Sequence, residues 1–197
     1  MIFTQAELAQ LVAGQPIGKA APYKRGRTDK IDRYLQKVAK RLAKVVKGCE
    51  VVLENEQEGA IAQKSFMAIY IQKAHGAATT TVRQANGNTV ETTQGLYVYL
   101  SRLAPCAVWG GSTVEVTYQH GNWRNSQSNW LLRQGVAQLP GGQYAQEVAA
   151  ITRSLSKAGF TCLTHEAANT PIPEGLAVPP TLKAPPYALF DCLFYWL

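Results

Sequence analysis

Apolar side chains recur at alternating steps of four and three between Thr28 and Lys47, which is the spacing of one buried stripe on an α-helix. The stripe consists of Ile31, Leu35, Val38, Leu42 and Val45. Asp29 and Asp32 near its start suit the positive end of a helix, and the cations that follow suit the negative end. Gly48 then supplies the residue that most easily adopts a left-handed conformation after a helix. The pattern predicts a helix over 28–47.

Two further stretches have helical spacing. Near the start, Thr4 and Glu7 form the sequence signature of a capping box, which predicts a short helix that ends by Gly14. A later helix is predicted from Tyr144 to Ala158, with its apolar side formed by Val148, Ile151 and Leu155. The residues between the first two helices, 15–27, mix proline, glycine and cations and are predicted to form a loop.

The middle of the chain changes to short β-prone runs. Strands are predicted at 49–53, 61–73, 79–84, 89–93, 96–103, 106–109 and 113–118. Asn86-Gly87 and Gly110-Gly111 are read as hairpin turns, and the polar segment 119–129 as an exposed loop. Short strands joined by tight turns indicate an antiparallel sheet. We therefore predict an α+β fold, with about five to seven strands covered on one face by the N-terminal helices and the later helix.

The end of the chain contains two distinct segments. Residues 169–186 are rich in proline, which excludes a helix interior and a central strand and predicts an extended arm. Residues 187–197 are almost entirely apolar and are expected to pack on the sheet or on a partner. Together with the preceding elements, these segments predict a single domain over 1–197.

Charge adds a bias toward acidic partners. The chain carries 20 lysines and arginines against 13 aspartates and glutamates, a formal net charge of +7. Such a balance favours nucleic acid, an anionic surface or an acidic protein as partner. No apolar run approaches the length of about 20 residues that spans a bilayer, so a membrane partner is not expected.

Cysteine usage and the N-terminus indicate the cytoplasm. The four cysteines are widely spaced, form no C-x-x-C pair and have apolar neighbours, which favours free thiols over disulfides or a metal site. The N-terminus also lacks the features of a secretory signal. We therefore expect a soluble, cytoplasmic protein, and the oligomeric state is left open.

The candidate binding residues are cations of the first long helix and its approach, together with an exposed aromatic-arginine pair. They are Lys24, Arg25, Arg27, Arg33, Lys37, Lys40, Arg41, Lys44, Trp123 and Arg124. Three interpretations are open for the helix: a solvated face of a core-packed helix, a docking face for an acidic protein, or a site for a phosphate backbone. Tryptophan and arginine are the types that anchor protein interfaces.

Catalytic and metal-binding patterns are weak. His75, His120 and His165 are far apart in the sequence, and Cys106 has no neighbour that would activate a thiol. Asp191 is expected to cap a helix or to be a hydrogen-bonded buried carboxylate. No glycine-rich nucleotide loop is present, so no catalytic residue, metal or cofactor is predicted.

Three functional hypotheses follow. The leading one is a non-enzymatic binding protein, of the inhibitor or immunity type, that neutralises an acidic protein through the basic helix. The alternative is nucleic-acid binding through the segment 24–47. A hydrolase or transferase that uses His120 or Asp191 is the third.

Overall fold

The computed structural model describes residues 2–54, 64–139, 143–176, 178 and 185–195. Its α-helices are α1 (Gln5–Val12), α2 (Thr28–Val45), α3 (Ala145–Lys157), α4 (His165–Ala168) and α5 (Leu189–Leu193). Its strands are β1 (Cys49–Leu53), β2 (Phe66–Lys73), β3 (Thr79–Arg83), β4 (Asn88–Ser101), β5 (Cys106–Gln119), β6 (Asn122–Ser128) and β7 (Thr161–Cys162). The predicted α+β fold, its antiparallel sheet and its three main helices are confirmed.

The sheet is built around the long hairpin of β4 and β5. The strand order is β1-β2-β4-β5-β6, while β3 pairs with the first half of β4 and β7 runs parallel to the start of β5. All other neighbouring strands are antiparallel. The predicted strand over 61–73 is observed from Phe66, and residues 61–63 lie outside the described ranges.

Apolar layers cover both faces of the sheet in its central part. On one face α2 and α3 pack over the side chains of Ile69, Ile71, Leu96, Val98 and Leu100. On the opposite face α1, α5 and the residues after α5 pack over Phe66, Tyr97 and Tyr99. The predicted cover by α2 and α3 is therefore present, but α1 lies on the other face rather than beside α2. The reason is that β2 and β4 are apolar at odd and even positions alike, so both faces require a cover.

Two predicted loops are parts of strands. Gly110-Gly111 does not turn the chain, because β5 continues through both residues. A Cβ atom on Gly110 would overlap the carbonyl oxygen of Gly135 and the side chain of Leu131, so this glycine allows a neighbouring segment to approach the strand closely. The segment 119–129 contains β6 and a tight turn at His120-Gly121, where both residues have positive φ. These two residues form the turn between β5 and β6.

Beyond the central part, four strands extend into solvent. Residues 95–101 of β4 are buried, whereas residues 88–94 are only partly buried. The latter pair with β3 and with the second half of β5, which in turn pairs with β6. We call this unit the wing: β3, residues 88–94, residues 112–119 and β6.

The C-terminal segment is packed as expected. Residues 188–195 are buried, and the Tyr195 hydroxyl donates to the carbonyl oxygen of Leu11 in α1. The predicted extended arm over 169–186 is described in part: Pro171 forms an isolated antiparallel bridge with Ala188. Residues 177, 179–184 and 196–197 lie outside the described ranges.

Candidate cationic binding surface

The apolar stripe of α2 fixes which side chains of that helix reach solvent. Ile31, Leu35 and Leu42 are fully buried against the sheet and α3. Residues half a turn away from them point outward, because an α-helix repeats every 3.6 residues. The exposed residues on this side include Arg33, Lys37, Lys40, Arg41 and Lys44. They form a row that extends about 16 Å along the helix axis, at about 1.5 Å per residue.

One acidic residue, Asp29, neutralises only the start of this row. Asp29 accepts hydrogen bonds from Arg27 at 3.2 Å and from Arg33 at 2.7 Å, and these two guanidinium groups lower the pKa of its carboxyl. Asp32 pairs instead with Arg102 at 2.7 Å, where β4 ends. Within the described ranges, no ion pair is formed by the four exposed cations that follow: Lys37, Lys40, Arg41 and Lys44.

The spacing of these cations makes them repel one another. Arg33 and Lys37, Lys37 and Arg41, and Lys40 and Lys44 are each four residues apart on the same helix. Like charges at this spacing destabilise a helix by about 0.2–0.5 kcal/mol per pair. The row therefore reduces the stability of the free protein, and an anionic ligand would relieve that repulsion.

Helix α3 adds cations that sequence reasoning missed. The Tyr34 hydroxyl of α2 donates to the carbonyl oxygen of Ala158, and its ring stacks on Phe160 with ring centres 5.9 Å apart. This contact joins α2 to the C-terminal end of α3, which carries the exposed Arg153 and Lys157. Their approach depends on tertiary packing, so a local pattern could not reveal it.

The loop before α2 contributes further cations. Tyr23 is buried, and its hydroxyl donates to the carbonyl oxygen of Ser101 at 2.7 Å, which anchors the loop to the end of β4. The neighbouring cations of this loop are exposed: Lys24, Arg25 and Arg27. We use the term cationic surface for Lys24, Arg25, Arg27, Arg33, Lys37, Lys40, Arg41, Lys44, Arg153 and Lys157.

Trp123 and Arg124 belong to a different part of the molecule. Both lie on β6 in the wing, and 65% of Trp123 is exposed. Their exposure agrees with the prediction, but the predicted loop is an edge strand. Strand β6 pairs with β5, whereas α2 packs on the central part of the sheet. The structure thus separates the candidate residues into two surfaces.

Among the side chains considered for catalysis, Cys106 and Asp191 are buried and His120 is exposed. Burial raises the pKa of the Cys106 thiol to about 12, which opposes formation of a nucleophilic thiolate. Asp191 accepts hydrogen bonds from the backbone of Ala188 and from Arg133, and so caps α5 as expected. His120 lies in the exposed turn of the wing. The described residues contain no group of three potential metal ligands.

A half-buried polar cluster lies against Tyr97 in the central part of the sheet. The Tyr97 hydroxyl donates to Glu54, whose Oε2 lies 3.8 Å from the ammonium group of Lys64. Trp130 stacks on Tyr97 with ring centres 5.4 Å apart, and the Lys64 ammonium lies 4.4 Å from the Trp130 ring centre. Burial raises the pKa of Glu54 despite these partners. The cluster is internally satisfied, and we assign it a structural role.

The acidic composition of the stretch that contains Glu54, Glu56 and Glu58 predicts an exposed turn. Glu54 is instead half-buried, because Tyr97 and Lys64 hold it against the sheet. Residues 55–60, which include Glu56 and Glu58, lie outside the described ranges. No signal in the local sequence linked Glu54 to Tyr97, which is more than 40 residues later.

Comparison of this chain with protein families, curated proteins and solved structures found no match. None of the helices in the described part of the chain is both long enough and apolar enough to cross a membrane.

Proposed function

We propose that this protein is a non-enzymatic, cytoplasmic binding protein whose cationic surface docks on an acidic protein and neutralises it. The supporting observation is that four exposed cations of α2 have no described acidic partner: Lys37, Lys40, Arg41 and Lys44. Charge of one sign, presented by a rigid helix, steers an oppositely charged partner and orients it. The four free thiols suit the reducing conditions of the cytoplasm.

Nucleic-acid binding is the second candidate, because a row of lysines and arginines can also follow a phosphate backbone. The chemistry of α2 favours the protein partner. Its aromatic residue, Tyr34, is stacked against Phe160 and therefore offers no free platform for a base. A nucleic acid would be held by charge alone.

The test compares two substitutions that change the net charge equally. Lys37→Glu/Lys44→Glu reverses two charges within the cationic surface. Lys19→Glu/Arg83→Glu reverses two exposed charges outside it. Binding to poly-L-glutamate is measured by isothermal titration calorimetry at low and physiological salt. We expect the first variant to bind at least about tenfold more weakly than the wild type, and the control to keep most of the affinity.

The same titrations with a mixed-sequence DNA duplex and with single-stranded DNA separate the two candidates. Binding of polyglutamate in preference to both nucleic acids, at equal charge concentration, supports the acidic protein. Tighter binding to DNA with a steep salt dependence supports the alternative. If Lys37→Glu/Lys44→Glu and its control lose affinity equally, the net charge rather than the cationic surface is responsible, and the proposal is wrong.

A further inference from the structure

Strand β6 leaves one edge of the wing open. Within the described ranges β6 pairs only with β5, and residues 122–127 are exposed. The amide of Asn129 donates to the carbonyl oxygen of Thr113, which makes Val114 and Ser128 a pair without mutual hydrogen bonds. Ser126 and Val116 are likewise a pair without mutual hydrogen bonds. The N–H and C=O groups of Ser126 therefore point away from β5, toward the open edge.

Residues 125–128 of this edge lack the features that usually block strand addition. Natural edge strands are commonly protected by lysine, proline or bulges along their length. Strand β6 contains neither lysine nor proline, and its register shift lies near the turn, beside Tyr118. Residues 125–128 remain in regular register with β5. A second strand can therefore pair along this part of the edge.

The charges of the wing favour a second copy of this chain as that partner. The wing carries Arg83 and Arg124 against Glu91 and Glu115, so its formal charge is zero with His120 neutral. The positive charge of the protein lies instead on the cationic surface, which packs on the central sheet. Two copies can thus meet through their wings without opposing like charges at the contact.

The sequence of β6 is compatible with pairing to itself. In an antiparallel arrangement with a two-fold axis at Ser126, the two Ser126 residues exchange N–H and C=O hydrogen bonds. Asn125 then lies opposite Gln127 of the second copy, and the regular pairing ends before Arg124, the residue at the register shift. None of these pairs opposes two charges of the same sign, and the exposed Trp123 lies beside the contact.

We propose that two copies of this chain associate through β6, so that their wings form one continuous eight-stranded antiparallel sheet. The contact consists mainly of backbone hydrogen bonds over a small area, which makes the dimer weak and concentration-dependent. It is independent of the proposed function, because α2 takes no part in it.

Sedimentation equilibrium between micromolar and millimolar concentration tests the association. Ser126→Pro removes an outward N–H group while leaving the ladder to β5 intact, and proline is tolerated at such edge positions. We expect it to weaken dimerisation at least about tenfold, because two symmetry-related hydrogen bonds are lost. The matched control is Thr81→Pro on β3, whose N–H also points outward because the Gln94 amide donates to the carbonyl oxygen of Ala78. This control should dimerise like the wild type.

A distance measurement tests the register without altering β6. Thr81, Glu91, Val116 and Ser126 lie side by side across the four strands of the wing. In the proposed dimer, Thr81 of one copy is separated from Thr81 of the other by seven strand spacings, or about 34 Å. Nitroxide labels attached through Thr81→Cys should give this distance by electron–electron double resonance, with labelled wild type as background.

Labels attached through Ser126→Cys should instead lie near each other and broaden the continuous-wave spectrum, because the two Cα atoms are about 5.5 Å apart. The reverse result, with contact at Thr81 and a long distance at Ser126, would show pairing through β3 and overturn the proposal. A wild-type protein that remains monomeric at millimolar concentration would overturn it as well. Folding of each variant is checked by circular dichroism.

Discussion

Replacing Lys40 by glutamate should stabilise the free protein while it weakens binding. Lys40 is exposed on α2 and lies four residues before Lys44. No described carboxylate pairs with either of them. The substitution therefore replaces a repulsive pair by an attractive one, without touching the buried stripe of the helix.

The size of the effect follows from the two changes at this spacing. Removing a like-charge pair recovers about 0.2–0.5 kcal/mol, and a glutamate placed four residues before a lysine adds about the same again. We thus expect Lys40→Glu to raise the free energy of unfolding by about 0.4–1 kcal/mol at low salt. For a chain of this size, that corresponds to an increase in Tm of about 1–4 °C. Lysine, glutamine and glutamate have similar helix propensities, so propensity contributes little.

Urea unfolding and calorimetry at low and high salt provide the assay. Lys40→Gln removes the repulsion without adding the attraction, and should give about half of the gain. High salt should reduce both gains, because mobile ions screen exposed charges. If Lys40→Glu is neutral or destabilising at low salt, or if the gain is the same at both salt concentrations, the cations of α2 do not repel one another and the reasoning is refuted.

Three other predictions concern the folded framework: the first two are checked by urea unfolding, and the third by thiol alkylation and by urea unfolding as a function of pH. Gly110→Ala should lower the free energy of unfolding by about 1–3 kcal/mol, because the added Cβ would overlap the carbonyl oxygen of Gly135. An unchanged free energy of unfolding would show that the segment around Gly135 moves freely away from β5. Arg133→Met should lower the free energy of unfolding by about 3 kcal/mol, because it leaves the buried Asp191 carboxylate without a cation. In the wild type the guanidinium of Arg133 lies 3.1 Å from this carboxylate. A decrease below about 1 kcal/mol would contradict the assigned pairing. The Cys106 thiol, whose pKa is raised from 9.0 to about 12, should not react with iodoacetamide at pH 8 until the protein unfolds. Since the unfolded chain releases this proton at a lower pH than the folded one, the contribution of Cys106 to stability should fall as pH rises above 9.0; rapid alkylation of the folded protein would disprove its burial.

Local signals predicted the helices well. The start of α2 and the capping box of α1 depend on residues within one or two turns of each other, so spacing alone reveals them. The end of α2 differs from the prediction: the helix stops at Val45, which is exposed rather than part of the buried stripe. The strands were harder to delimit. Gly110-Gly111 has the composition of a turn, but Gly110 allows the close approach of Leu131 and Gly135, more than 20 residues later. Composition cannot distinguish these two uses of glycine.

The candidate surface was predictable only where it follows one helix. The exposure of Lys37 and Lys44 follows from the stripe opposite them, which the sequence displays. The contribution of Arg153 and Lys157 required the packing of α3 on α2 through Tyr34. Tertiary contacts of this kind leave no local pattern. The same holds for the separation of Trp123 from the cationic surface.

The central claim is that an acidic polypeptide binds on the cationic surface. Its most direct test is the acetylation rate of each lysine, measured by mass spectrometry with and without poly-L-glutamate. We predict slower modification of Lys37, Lys40 and Lys44 in the complex, while the exposed Lys19 reacts at an unchanged rate. Equal protection of Lys19 and the lysines of α2, or protection of none of them under conditions where polyglutamate is bound, would contradict the account.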